Sequence, residues 1–211
     1  IGEITDIYSN TGLVIPAYVN GQPVTELDFR ERREKLKKES GGKDLFGELG
    51  RLSVDQEKDI IFAVEIPDTV KRIADGCFEN CSFMGGIRLG GNLESVGERA
   101  FAGADFYGAY AKTALEESGE DSGEYQLYSG DTYPIPDVTD TIILQESIKV
   151  LGESAFEGAD FEGSRMVIEA DVEAIPDRYL AEAKNLGGIA FLSPDLKRIG
   201  DEAFSSIAMD A

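Results

Sequence analysis

The stretch VGERAF at residues 96–101 decides the fold, because four other stretches of the chain repeat its frame. In each copy an aliphatic residue, here called the anchor, is followed five positions later by phenylalanine or, once, by leucine. The other copies are IADGCF (73–78), LGESAF (151–156), IPDRYL (175–180) and IGDEAF (199–204). Most copies are separated by about two dozen residues, a spacing that indicates one structural repeat per copy.

A pair of apolar residues also precedes each anchor, at seven and nine positions upstream. The residues seven positions upstream are Ile66, Leu89, Leu144, Ile168 and Leu192. The residues nine positions upstream are Val64, Ile87, Ile142, Met166 and Ala190. Apolar residues two positions apart predict a strand with one face turned inward. We therefore expect each unit to form a strand, a turn, a short helical segment and a return loop.

One unit cannot bury its apolar residues alone, whereas stacked units share a continuous core in which each coil contacts only its neighbours. The predicted fold class is therefore α/β, a right-handed solenoid with a parallel β-sheet on one face and short helical segments on the other. We expect a single domain over residues 1–211, with insertions at about 28–60 and 107–140.

The repeat blocks resemble a known family. LESVGERAFAGADF (93–106), IKVLGESAFEGADF (148–161) and LKRIGDEAF (196–204) are similar to the BspA-like class of leucine-rich repeats, and LVIPAYVNGQPVTEL (13–27) resembles its variant unit. Pro176 and Leu180 depart from the glycine and phenylalanine usual there. The resemblance implies a secreted or surface-attached protein of bacteria or protists that binds other proteins in adhesion.

The amino-acid composition argues against several kinds of partner, catalytic site and metal site. Acidic residues outnumber basic ones by 41 to 20, a net charge of −21 that argues against nucleic acid and anionic lipid as partners. The chain has no histidine and two cysteines, which removes histidine-based nucleophilic sites and the usual zinc ligands. No apolar run is long enough for membrane insertion. We expect no enzyme activity, no cofactor and no metal site; a glycan-acting enzyme with paired carboxylates is a remote alternative.

The first insertion is predicted to begin with a helix. Thr25 is the expected N-cap, and Gly41-Gly42 ends a run of strong helix formers, so the helix spans about 26–39. Residues 30–58 hold nine Lys/Arg and seven Asp/Glu, against the acidic remainder of the chain. Two interpretations stay open: the helix extends or caps the N-terminal coils, or it forms a cationic docking surface.

The second insertion is rich in tyrosine. It contains Tyr107, Tyr110, Tyr125, Tyr128 and Tyr133, five of the eight tyrosines of the chain, and an acidic tip near residue 120. Tyrosine is enriched at binding surfaces, and long loops on a rigid scaffold often carry function. We predict that Tyr125, Tyr128 and Tyr133 contact a ligand. The alternative is that the tyrosines pack the insertion onto its own coils.

The residue between the two inward positions of each strand should face outward. Glu65 and Arg88 are polar, whereas Ile143, Val167 and Phe191 are apolar and recur every 24 residues, which predicts an exposed apolar ladder. We predict that this ladder binds a ligand, although the second insertion covering it is the alternative.

These features together favour a protein-binding or adhesion module at the cell surface or outside the cell, with a host or extracellular-matrix protein as the partner. A structural or homo-oligomerising spacer, including a homodimer, is the second hypothesis. Residue 1 opens no signal peptide, so we expect a leader upstream of Ile1.

Overall fold

The structure is a computed structural model that describes residues 15–39, 64–83, 86–108, 124–126, 132–134 and 140–210. Tyr128 and most of the first insertion lie outside the described residues. For clarity we number the stacked coils in chain order. They are coil 1 (64–83), coil 2 (86–106), coil 3 (140–161), coil 4 (164–186) and coil 5 (187–210).

The first two strands, β1 (Tyr18–Val19) and β2 (Gln22–Pro23), form an antiparallel pair. Short parallel strands or single bridges then recur at three places in each coil and line up in three columns. The first column contains β4 (Val64–Glu65), β7 (Ile87–Arg88), β12 (Thr141–Leu144), β14 (Arg165–Ile168) and β16 (Gly188–Phe191). The second contains β3 (Glu26–Leu27), β5 (Arg72–Ile73), β8 (Ser95–Val96), β13 (Val150–Leu151), β15 (Ala174–Ile175) and β17 (Arg198–Ile199). The third contains β6 (Ser82–Phe83) and β9 (Asp105–Phe106), continued by single bridges through Asp160, Lys184 and Leu186. This arrangement confirms the parallel β-solenoid.

Two of the columns are interrupted. In the first column β4 pairs with β7, and β12, β14 and β16 pair in that order, but β7 does not pair with β12. In the second column β3, β5, β8 and β13 pair in sequence, and β15 pairs with β17, but β13 does not pair with β15. The first interruption lies where the second insertion enters the chain. The interruption between β13 and β15 lies next to Pro176, which directly follows β15.

The core is built from aliphatic residues and two stacks of aromatic rings. Phe78, Phe101 and Phe156 are buried, and their ring centroids lie 5.3 and 5.0 Å apart along the stack. Coil 4 has Leu180 at the equivalent position, and the preceding residue, Tyr179, meets Phe156 edge-on at 5.6 Å. Burial of a large apolar side chain stabilises by about 1.5–3 kcal/mol, so the stack as a whole supplies the stability.

The second ring stack lies in the third column and was not anticipated from the sequence. Phe83, Phe106 and Phe161 are buried, with centroid distances of 5.2 and 5.3 Å. The recurring GADF ending of the repeat blocks was the available signal, since its phenylalanine follows the anchor at a constant distance.

The predicted helical face is wrong, because the segments after each anchor are successive turns. Arg99, Ser154 and Arg178 have positive φ angles, and so do the residues four positions after each of them. Positive φ is incompatible with a right-handed helix. The amides bond to the next coil instead of within a helix. Phe101 N donates to Ala155 O at 2.8 Å, and the same pattern joins the later coils.

The one helix of the described residues is α1 (Arg30–Glu39), which starts later than expected. Glu26 and Leu27 pair with Arg72 and Ile73 in the second column and are therefore extended. Asp28 accepts a hydrogen bond from the Arg30 amide at 3.1 Å, so Asp28 takes the capping role predicted for Thr25. The Arg30 side chain also lowers the pKa of Asp28.

The register of coil 5 also differs from the prediction. Phe191 pairs with Ile168, one residue before the expected Leu192, and Leu192 is 59% exposed. The start of coil 5 passes very close to the link between coils 3 and 4, since a Cβ at Gly187 would lie 1.9 Å from Gly163 O. This close passage lets β16 lie one residue earlier in the chain than predicted by counting seven residues back from the anchor Ile199.

Candidate partner-binding surface

The outward face of the first column presents two neighbouring aliphatic side chains. Ile143 pairs with Val167 in the β12–β14 register, and the flanking Ile142 and Met166 are buried. Since alternate residues of a strand face opposite sides, Ile143 and Val167 point outward. Ile143 is 41% exposed and Val167 is half-buried. The predicted side-by-side placement of these two residues is confirmed.

Phe191 does not continue this ladder, and that part of the prediction is wrong. Its strand partner is the fully buried Ile168, and its ring meets the ring of Phe204 edge-on at 5.4 Å. Phe191 therefore belongs to the inner side of coil 5, and Ala190 takes the outward place beside Val167. Phe191 remains 39% exposed because coil 5 is the last described coil.

In coils 1 and 2 the first column is polar on its outward face. Glu65 and Arg88 lie opposite each other in the β4–β7 pair, and both are exposed. The break between β7 and β12 separates this charged part from the aliphatic part. Gln145 reaches across the break, where its Nε2 donates to Leu89 O at 3.1 Å. The column thus offers a charged patch beside an apolar patch.

The second insertion contributes an antiparallel hairpin. Its strands are β10 (Glu124–Gln126) and β11 (Thr132–Pro134), and Tyr125 pairs directly with Tyr133. Tyr128 falls outside the described residues. The register brings two of the three predicted tyrosines opposite each other, and their contact with a ligand stays a prediction.

A row of alternating charges runs along the turn segments. The Arg99 guanidinium lies 2.6 Å from the Glu79 carboxylate and 3.5 Å from the Glu157 carboxylate. The Arg178 guanidinium lies 2.6 Å from the same Glu157 carboxylate and also pairs with Glu202. The hydrogen bond from Arg178 lowers the pKa of Glu157. These carboxylates are engaged in ion pairs between coils, which fits a structural role better than acid–base chemistry.

The end of coil 5 differs from the other coils. Leu192, Ile199 and Met209 are 59%, 54% and 53% exposed. In coil 4 the amides of Arg178, Leu180 and Glu182 donate to carbonyls of coil 5. Within the described chain, the equivalent amides of coil 5 have no acceptor; they are those of Glu202, Phe204 and Ser206.

The fold is thus that of a repeat protein of the parallel β-solenoid class. The family model for the BspA type leucine rich repeat region matches six copies over residues 57–122 and 137–210, and the chain belongs to this family. The match leaves out residues 1–27, although the β3–β5 pairing aligns Leu27 with the anchor Ile73. No curated protein and no solved structure matches the chain.

Proteins of this family are commonly surface-associated, bind other proteins and are typically not enzymes. Across the part of the chain that the structure describes, no helix has the length and apolar character needed to cross a membrane.

Proposed function

We propose that this protein is a non-enzymatic adhesion module that acts at the cell surface or outside the cell and binds a host or extracellular-matrix protein. The observation that carries the proposal is the outward aliphatic pair Ile143 and Val167 on a rigid parallel sheet. Exposed apolar side chains grouped on a sheet face favour contact with another protein. Tyr125, Tyr128 and Tyr133 of the second insertion would add aromatic contact area.

Charge favours a basic partner. The chain carries a net charge of −21, and a field of that sign attracts cationic proteins and speeds their encounter. The charged patch at Glu65 and Arg88 would lie at the rim of the contact, where charges influence orientation more than affinity. Binding should therefore weaken as the salt concentration rises.

The test compares binding of the wild-type chain and of Ile143→Thr/Val167→Thr to immobilised matrix proteins. Threonine keeps the β-branched shape of the strand residues but reduces the apolar surface. We expect affinity to fall by about tenfold, the loss of roughly one anchor contact, with an unchanged melting temperature. Glu65→Gln, in the charged part of the same column, is the control and should change affinity little. Equal binding by the double variant and the wild type would refute the proposal.

The tyrosines are tested separately with Tyr125→Ala and Tyr133→Ala. Weaker binding with an unchanged melting temperature would support ligand contact, whereas unchanged binding with lower stability would support packing of the insertion on its own coils. Incubation with a panel of polysaccharides should show no cleavage, and cleavage would revive the enzyme hypothesis.

A structural or self-associating spacer is the second candidate function, and the end of coil 5 favours it. The exposed side chains and unbonded amides of this last described coil form a surface that another coil, from this chain or from a second copy, would complete. The side chains are those of Leu192, Ile199 and Met209. Light scattering over a range of concentrations should then show growing mass, and Ile199→Lys should abolish the growth. A constant monomer mass would exclude self-association.

A further inference from the structure

A cleft of about 340 Å³ opens between coils 3 and 4 on the second column. It lies where β13 and β15 do not pair, and its walls include Leu151, Val172, Ala174 and Pro176. This position is in a different column from Ile143 and Val167, so the cleft is independent of the surface proposed above.

Pro176 explains the cleft. In coils 2, 3 and 5 a glycine follows the anchor, and its amide donates to the anchor carbonyl of the preceding coil. In coil 1 Ala74 makes the equivalent bond to Leu27 O. Gly152 N bonds Val96 O at 2.8 Å, and Gly200 N bonds Ile175 O at 2.8 Å. Proline has no amide hydrogen and cannot make this bond to Leu151 O. A side chain is also excluded at Gly152, since a Cβ there would lie 2.3 Å from backbone atoms of coil 2.

The split leaves backbone groups without partners on both sides. In coil 5 the amides of Lys197 and Arg198 donate to Glu173 O, and coil 3 bonds coil 2 in the same way. Within the described coils 3 and 4, the equivalent amides of Glu173 and Ala174 have no acceptor, and Leu151 O has no donor.

The coils remain joined above and below the cleft. Asp171 N donates to Ile148 O at 2.9 Å, and Ser154 N donates to Asp177 O at 3.1 Å. The opening is therefore local, and it has room for one or two residues of a ligand rather than for a whole inserted strand.

The side chains of the cleft combine an apolar floor with charged walls, and the walls include Arg198, which lies 3.9 Å from Asp177. Leu151 and Val172 are nearly buried. Lys149 is paired with Asp171 at 2.5 Å, whereas the lining residue Glu153 is exposed and makes no ion pair with any described residue.

We propose that this cleft binds a short extended segment of a partner polypeptide, with an aliphatic side chain on Leu151 and Val172 and an adjacent basic side chain at Glu153. A peptide fits because its own amide and carbonyl groups complement the unpaired Ala174 N and Leu151 O, as in strand addition to a sheet edge. The apolar floor and the net charge of −21 disfavour phosphorylated or acidic ligands. The volume is at the lower end of the range of about 300–1,000 Å³ for ligand pockets.

The test uses two blocked tripeptides, acetyl-Lys-Leu-Lys-amide and acetyl-Glu-Leu-Glu-amide, titrated into the isotope-labelled chain and followed by amide NMR shifts. We expect the basic peptide to shift the amides of Glu173 and Ala174 and to bind at least about tenfold more tightly than the acidic one, since opposite charges assist and like charges oppose contact. No shift at these amides at millimolar peptide, or equal affinity for both peptides, would overturn the proposal.

Two variants and a control locate the interaction. Pro176→Gly supplies an amide that can donate to Leu151 O, as the equivalent glycine amides donate to the preceding anchor in other coils. The substitution should therefore close the cleft and remove the NMR shifts. Glu153→Gln should lower the affinity for the basic peptide by about threefold, as expected for one exposed charge pair. Glu98→Gln removes the equivalent carboxylate of coil 2 and should have no effect. Binding that persists in Pro176→Gly, or equal losses in Glu153→Gln and Glu98→Gln, would overturn the proposal.

Discussion

A methyl group added at Gly152 should separate coils 2 and 3. The Cβ of Gly152→Ala would lie 2.3 Å from Gly97 C and Glu98 N, which are backbone atoms and cannot rotate away. Coil 3 must therefore move, and the 2.8 Å hydrogen bond from Gly152 N to Val96 O would be lost. The substitution would thus create between coils 2 and 3 the kind of split that Pro176 produces between coils 3 and 4.

The magnitude follows from these two effects. Leaving a buried donor and acceptor unpaired costs about 1–3 kcal/mol, and overpacking costs about 1–3 kcal/mol. The free energy of unfolding should therefore fall by about 2–6 kcal/mol. For a chain of this size each kcal/mol corresponds to about 2–4 °C, so the melting temperature should fall by at least about 4 °C.

The assay is thermal unfolding followed by circular dichroism, with Gly188→Ala as the matched control. A Cβ at Gly188 meets only Arg165 Cγ, at 3.8 Å, which is an ordinary contact. Gly188→Ala should therefore change stability by no more than about 0.5 kcal/mol. If Gly152→Ala melted at the same temperature as Gly188→Ala, the close approach of the coils at Gly152 would be refuted.

Two further substitutions test the core and the charge row. Phe101→Ala should lower the free energy of unfolding, measured with urea, by about 3–5 kcal/mol. Phe204→Ala should lower it less, because Phe204 is only partly buried in the last described coil. Equal losses for the two variants would contradict the ring stack. Since Arg178 lowers the pKa of Glu157, ionised Glu157 stabilises the fold above its ordinary pKa of 4.5, and this contribution is lost as the pH falls through the lower folded-state pKa. The free energy of unfolding of Glu157→Gln should therefore fall less steeply than that of the wild type below about pH 4.5. Identical pH profiles for the two proteins would contradict the ion pairs.

The repeat spacing was sufficient to predict the solenoid, because stacked coils bury the same positions in every unit. Ile66, Leu89, Leu144 and Ile168 are all buried, as their common distance from the anchors indicated. The outward pair Ile143 and Val167 followed from the same alternation of strand residues.

The turn segments could not be predicted in this way. Apolar residues three positions apart, such as Phe101 and Ala104, suit both a helix and a chain of turns, and the deciding hydrogen bonds reach into the next coil. The φ angles of Arg99 and Ser154 are positive although neither residue is glycine, so the sequence gives no sign of these turns. The distinction depends on contacts between units, which the sequence of one unit does not contain.

The departures from the repeat had structural consequences that spacing alone did not show. Pro176 was visible as a substitution for glycine, but its effect depends on the hydrogen bond that glycine makes to the preceding coil. The shifted register at Phe191 depends on how closely Gly187 passes Gly163. Both outcomes are set by the backbone of a neighbouring coil.

One set of hydrogen bonds between the turn segments runs in a single direction, and this restricts how copies of the chain can associate. In coils 1 to 4 the amides three, five and seven residues after the anchor donate to carbonyls of the coil after it, as Arg99 N donates to Glu153 O. Two coil-5 ends brought face to face would set donors against donors along this segment. Self-association through these groups would therefore have to be head-to-tail, and an arrangement of that kind yields an open series unless its rotation closes a ring.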